Sequence, residues 1–230
     1  MARPSFLADP HHGPLPALML ALTFVSGMVD AISILALGRV FVANMTGNVV
    51  FLGFALAGIE GFALLPSVVA VAGFVVGALG GGTLVQRFGS SRPILLRNAL
   101  GVEFTLLAGC LVASLLGHLR DDDVSTTVVA GVAAAAMGLQ TATARRIGVP
   151  DMTTSVVTMT LTGFAAERRR ADAALRRGAV VLSMLLGALC GALLVVHIGS
   201  HAGFIAVLVV VAGVGGTAAL LARHEQPWHA

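Results

Sequence analysis

Six apolar stretches, at 15–37, 62–86, 95–118, 124–144, 178–198 and 202–222, dominate this chain of 230 residues. A helix crossing the roughly 30 Å hydrocarbon core of a bilayer needs about 20 such residues, and each stretch is long enough. Only 11% of the residues are charged, against 57% hydrophobic, and the mean hydropathy is +0.95. A soluble domain carries about 25% charged residues, so this chain cannot clothe a water-facing surface. The expected fold class is an all-α integral membrane protein. The first stretch is longer than the apolar part of a signal peptide and contains Asp30, and it reads as a retained span. The 28 glycines fit helices that approach backbone to backbone in lipid.

Two further apolar stretches, 43–58 and 149–165, are shorter and open on polar residues, and their treatment decides the topology. If both cross, eight spans divide the arginines almost evenly between the two faces. If both dip in and leave by the same face, six spans remain. Arg3, Arg87, Arg92, Arg97, Arg145, Arg146, Arg168, Arg169, Arg170, Arg176, Arg177 and Arg223 then share one side. Only Arg39 and Arg120 oppose them, and Arg120 is followed by Asp121, Asp122 and Asp123. The positive-inside rule selects that asymmetry. The expected layout is therefore a cytoplasmic tail at 1–14, one transmembrane domain at 15–222 and a cytoplasmic tail at 223–230. Within the domain, six spans accompany two short re-entrant or half-length helices. The segment from Glu167 to Arg177 reads as a charged cytoplasmic linker beside anionic lipid, with a short helix as the alternative.

The two short elements resemble each other. Asn44-Met45-Thr46-Gly47-Asn48-Val49-Val50 is echoed by Asp151-Met152-Thr153-Thr154-Ser155-Val156-Val157. Gly27-x-x-Asp30-Ala31 precedes the first, and Gly138-x-x-Thr141-Ala142 precedes the second. Gly73, Gly77 and Gly81 follow the first at helical four-residue spacing, as Ser183, Gly187 and Gly191 follow the second. These matches keep their order, which points to a duplication with halves at about 15–118 and 124–222. Three spans per half would invert the second copy, and transporters built on inverted repeats hold solutes near the midplane at interrupted helices.

That geometry nominates the pathway residues. Asn44 or Thr46 and Asp151 or Thr153 are suited to cap a helix start, and two opposed helix N-termini would offer N–H donors to a small polar or anionic solute. Asn48 and Thr154 belong to the same polar openings. Asp30 is costly within a span unless it faces a partner or a cavity, and Gln140 is expected to line the same cavity. Glu103 is expected either at the interface or paired with Arg97. Cys110 and Cys190 read as small packing residues. There is no nucleophile–base pair, H-E-x-x-H motif, phosphate-cradling loop or zinc-spaced cluster. Neither catalysis nor a metal or cofactor is expected. The excess of arginine lies in loops between spans, which implicates topology and not nucleic acid as a partner.

The run GMVDAISILALGRVFVANMTGN, taken with GLQTATARRIGVPDMTTSVVTMTLTG, resembles the YoaK-like family of bacterial inner-membrane proteins. The resemblance covers essentially the whole chain. It implies a multi-spanning protein of the bacterial plasma membrane and supplies no substrate or catalytic residue. The expected function is a small-solute transporter or channel. The alternative is a scaffold, sensor or accessory subunit that oligomerises through glycine-rich helix faces.

Overall fold

The computed structural model describes residues 11–117, 119, 124–150, 162, 171–223 and 228. Its helices are α1 (Leu15–Ala36), α2 (Met45–Leu56), α3 (Leu64–Phe88), α4 (Arg92–Leu115), α5 (Val124–Ile147), α6 (Ala171–His197) and α7 (Ser200–Leu221). All but α2 are long and apolar enough to cross a membrane. The protein is thus an all-α membrane protein, with six candidate spans and one shorter apolar helix among the described residues. The second short element, around 149–165, falls almost wholly outside the described residues.

Local sequence sets the helix ends. Pro16 and Pro93 stand in the first turns of α1 and α4, where a missing N–H costs nothing. At the end of α1, Gly38 (φ 83°) and Arg39 (φ 57°) both adopt left-handed backbone, which stops the helix and turns the chain. Part of the charged segment takes its helical alternative: Ala171–Arg177 forms the first two turns of α6, because leucine and alanine between the arginines let the helix run on.

The 12 residues of α2 extend about 18 Å, roughly half a bilayer, and the chain returns to the face it left. A Cβ on Gly38, just after α1, would lie 3.7 Å from Pro66 at the start of α3. One on Gly61 would lie 3.8 Å from the Arg39 guanidinium. Phe41 before α2 stacks on Phe51 within it and Phe62 after it packs tilted against the same ring, with ring centroids 5.6 and 5.0 Å apart. On the opposite face, Arg92 Nη1 donates to the carbonyls of His11 (3.1 Å) and Trp228 (3.4 Å). Arg146 Nη2 there donates to the carbonyl of Gly89 (3.2 Å). His11 and Trp228 therefore meet on the face that carries Arg92 and Arg146.

Helices α1 and α5 are buried along most of their length, whereas α3 and α6 turn apolar side chains such as Val76, Leu79, Leu185 and Leu189 outward to lipid. The packing rests on two close helix pairs, α3 on α5 and α1 on α6. A Cβ on Gly77 would overlap the carbonyl of Ala135, and one on Gly187 would overlap that of Phe24. Gly77 and Gly187 are 110 positions apart, and Phe24 and Ala135 are 111 apart. The same spacing recurs where Gly81 meets Leu139 and Ala142, and Gly191 meets Met28 and Ala31. It recurs again where Gly138 meets Phe74 and Ala78, and Gly27 meets Met184 and Ala188. Beside the Gly131 carbonyl, Gly73 leaves room; beside the matched Leu20 carbonyl, the Ser183 hydroxyl donates a hydrogen bond of 2.8 Å. The glycine rows are consumed within the chain. Small residues are needed there because only they let the two backbones touch.

Candidate functional site

A cavity of about 580 Å³ lies between α1, the start of α2 and α6. Its walls are largely apolar, with Ile34 and Leu35 from α1, Phe41 and Phe51 from the α2 region, and Met184, Ala188 and Ala192 from α6. Among the described residues, Asp30 and Asn44 are the polar side chains in the wall. Small-molecule sites run from about 300 to 1,000 Å³ and are mostly apolar with a few placed polar groups. Gly27, in the middle of α1, and Leu35, beside its end, both line the cavity. It thus runs from mid-span about 12 Å towards the face of Gly38 and Gly61.

Asp30 is 6% exposed. Its Oδ1 accepts hydrogen bonds from the amides of Val42 (2.9 Å) and Ala43 (2.8 Å), and the Asn44 amide approaches the same carboxyl. Oδ2 has no hydrogen-bond partner among the described residues. The carboxyl therefore pins the segment that leads into α2 and keeps one free acceptor. Ser33 Oγ donates to the Val40 carbonyl at 2.7 Å and holds the same segment from the next turn of α1.

Asn48 is fully buried, and its amide pairs with both backbone groups of Phe41. Oδ1 accepts from the Phe41 N–H (2.9 Å) and Nδ2 donates to the Phe41 carbonyl (2.6 Å), with a longer contact to Met45 Sδ at 3.6 Å. It holds the loop and does not line the cavity. Asn44 occupies the cap position of α2 without a side-chain capping bond, so the expected use of its side chain on the helix amides is not seen. Thr46 lies one residue inside the helix and is exposed.

Gln140 also departs from expectation. It is buried at the crossing of α5 with α1, where Nε2 donates to Ser26 Oγ (3.1 Å) and to the Leu22 carbonyl (3.4 Å). That contact points it away from the groove shared by α1 and α6, so it stands apart from Asp30's cavity. Glu103 is neither interfacial nor paired with Arg97. It is fully buried with both carboxyl oxygens unpartnered among the described residues, while Arg97 binds Asn98 Oδ1 at 3.0 and 3.1 Å. Cys110 is buried against the Val129 carbonyl, whereas Cys190 is exposed. Asp151, Thr153 and Thr154 lie outside the described residues. No cluster of His, Cys, Asp or Glu suited to a metal ion occurs among the described residues.

Set beside known proteins, residues 18–216 match the family model described as a protein of unknown function, DUF1275. The chain belongs to the DUF1275 family. A relative of similar sequence is the UPF0700 transmembrane protein YoaK of Bacillus subtilis (strain 168), 32% identical over 145 residues. That match covers 63% of this chain and 63% of YoaK, so it spans under two thirds of the relative. No solved structure matches the chain. Within this DUF1275 chain, sequence reasoning missed Phe41 and Phe51, which wall the cavity, and the α6 residues that close it. The runs of small residues in α6 could have marked it as a groove, but nothing local says which helix it meets.

Proposed function

We propose that this DUF1275 protein moves a small solute across the bacterial plasma membrane, with the cavity between α1, α2 and α6 as part of the path. The observation that carries this reading is a sizeable cavity reaching mid-span and walled in part by a half-length helix, with a buried acid at its side. Re-entrant elements are tolerated at membrane depth where they are packed in protein or border a watery space. The reading also takes the two halves as inverted copies. The matched contacts of Gly77 with Ala135 and of Gly187 with Phe24, and those of Gly138 and Gly27, support that duplication. In inverted repeats the two copies move against each other around a central site.

The face that gathers Arg92, Arg146, His11 and Trp228 is taken as cytoplasmic by the positive-inside rule. Cysteines at Ser90 and at Glu60, in a background lacking Cys110 and Cys190, should then label from the cytoplasmic and outer sides respectively. Labelling of both from one side would sink the topology.

The flux test uses purified protein in liposomes with entrapped radiolabelled amines, carboxylates and neutral alcohols. Ala192→Phe, which fills the cavity without touching Asp30, should abolish release of whichever class the wild type passes while the variant stays folded. Absence of release for every class would defeat the transport reading. The scaffold alternative loses the rows Gly73–Gly77–Gly81 and Ser183–Gly187–Gly191, which pack inside the chain. It would instead have to use glycines with open space beside them, such as Gly101, Gly109, Gly213 and Gly216.

A further inference from the structure

Glu103 is an acid that the cavity does not use. It stands at the centre of α4, eleven residues after Arg92 and twelve before Leu115, and so at mid-membrane. The side chain is fully buried, and neither carboxyl oxygen has a hydrogen-bond partner among the described residues. Asp30, by contrast, has the amides of Val42 and Ala43 to hold it.

The helices packed on α4 bring it no counter-charge. They are α3, α5 and α7. The titratable side chains of α3 and α5 are Arg87, Arg145 and Arg146, all in last turns, and α7 carries His201 in its first turn. On α4 itself, Arg92 and Arg97 belong to the first two turns, where Arg97 binds Asn98. Cys110, two turns beyond Glu103, lies against the Val129 carbonyl.

The register of α4 on its neighbours places the acid at the junction of the two halves. A Cβ on Gly215 would lie 3.6 Å from Leu100 Cβ, and Ser114 Oγ bonds Ser200 Oγ at 2.7 Å. The two helices therefore run antiparallel, with Glu103 level with Val211 and Ala212. The contact of Cys110 with Val129 sets Glu103 level with Ala136 on α5 in the same way. At that depth the buried side chains are hydrocarbon, Ala133, Ala136 and Met137 on α5 and Val207, Val211 and Val214 on α7. Under the duplication proposed above, the counterpart of Glu103 on α7 is Gly213, 110 positions on. A residue stands level with its own counterpart only where the pseudo-two-fold axis passes, and Glu103 lies within about 3 Å of that point along the helix. Inverted repeats move against each other around such a centre.

Burying a charge without a partner costs more than the packing returns. Glu103 belongs to no group of metal-binding side chains among the described residues, so the cation it can take is a proton. We propose that Glu103 is a proton-binding switch between the two halves: protonated, it lets α4 close on α5 and α7, and loss of the proton parts them until water reaches the carboxylate. The chemistry is one protonation, in which a proton from bulk water forms an O–H bond with a carboxyl oxygen and no other bond changes. The switch goes beyond the transport reading and depends on neither the cavity nor its solute.

Cys110 supplies the reporter, being buried on the same face of α4. Cys190→Ser leaves it as the only thiol. Full-length C190S protein in lipid nanodiscs is labelled with N-ethylmaleimide between about pH 5 and 9, the range over which buried carboxyls ionise. The same series is run with Glu103→Gln added, which keeps the shape and cannot lose the proton. Comparing the two at each pH cancels the thiol's own titration. Labelling should be equal at the acid end and about tenfold faster with Glu103 present at the alkaline end. Glu103→Leu should match E103Q and replaces it if E103Q does not fold. The infrared band of a protonated carboxyl should be present at the acid end, missing from E103Q, and lost as labelling rises. Equal labelling at every pH, or no band that E103Q removes, overturns the proposal. So does a band that persists to the alkaline end without faster labelling, which would make Glu103 a fixed structural acid. Labelling that follows pH in a protein that releases no solute from liposomes keeps the switch and removes transport. Release that A192F blocks, with labelling equal in C190S and its E103Q variant, keeps transport and removes the switch.

Discussion

The α3–α5 and α1–α6 pairs approach each other in the same way and carry different chemistry. In both, glycines let one backbone rest on the carbonyls of the other, at positions 110 or 111 residues apart. Yet Gly73 in the first pair is Ser183 in the second, where a hydroxyl bonds the Leu20 carbonyl. Thr141 on α5 stands where α1 carries Asp30. Close packing demands small side chains at fixed spacing and so preserves a pattern through divergence. Polar groups between those contacts are free to differ, and one interface has become the wall of a cavity.

The most damaging way to probe the comparison is to add bulk at matched glycines. Gly77→Leu and Gly187→Leu should each cost about 3 kcal/mol or prevent folding, because the obstructing atoms are backbone carbonyls that cannot swing aside. Thermal unfolding in detergent reads the effect. A wild-type-like G187L beside a collapsed G77L would break the equivalence of the two pairs.

Next in size is the acid. Asp30→Ala leaves the buried amides of Val42 and Ala43 without their acceptor and should cost about 2–4 kcal/mol. The matched Thr141→Ala should cost about 0.5 kcal/mol or less. Hydrogen exchange at the Val42 and Ala43 amides should rise in D30A and stay unchanged in T141A. Similar losses from both substitutions would mean that α5 carries an equivalent polar anchor.

The smallest effect should come from Ser183→Ala. A single hydrogen bond between membrane helices is lost, about 0.6 kcal/mol, visible as a slight drop in melting temperature. A loss as large as that of G187L would show that the hydroxyl, and not the close approach, holds α1 on α6.

Much of the fold was legible before any coordinates. Six spans follow from six apolar stretches, and their observed ends differ by only a few residues except at α6, where the charged segment continues the helix. The re-entrant α2 followed from its length and from the arginine asymmetry. The site was less legible. Asp30 and Asn44 were chosen from residue type and do meet at one cavity. Asn48 was chosen for the same reason, but its carboxamide is spent on Phe41, a partner that hydropathy cannot name. Gln140 carried the right polarity on the wrong side of α5, because a shift of one residue turns a side chain by about 100° around the helix axis.

Sequence alone thus determined the membrane class, the six long apolar helices and the repeated small-residue pattern, since each depends on runs and spacings within a single helix. The tertiary structure decided that α6 and not α5 closes the space beside Asp30, and that the amides before α2 are already occupied. Those outcomes depend on contacts between residues more than a hundred positions apart or across an irregular loop. There the chain's local preferences are silent, and only the fit of one backbone against another selects the partner.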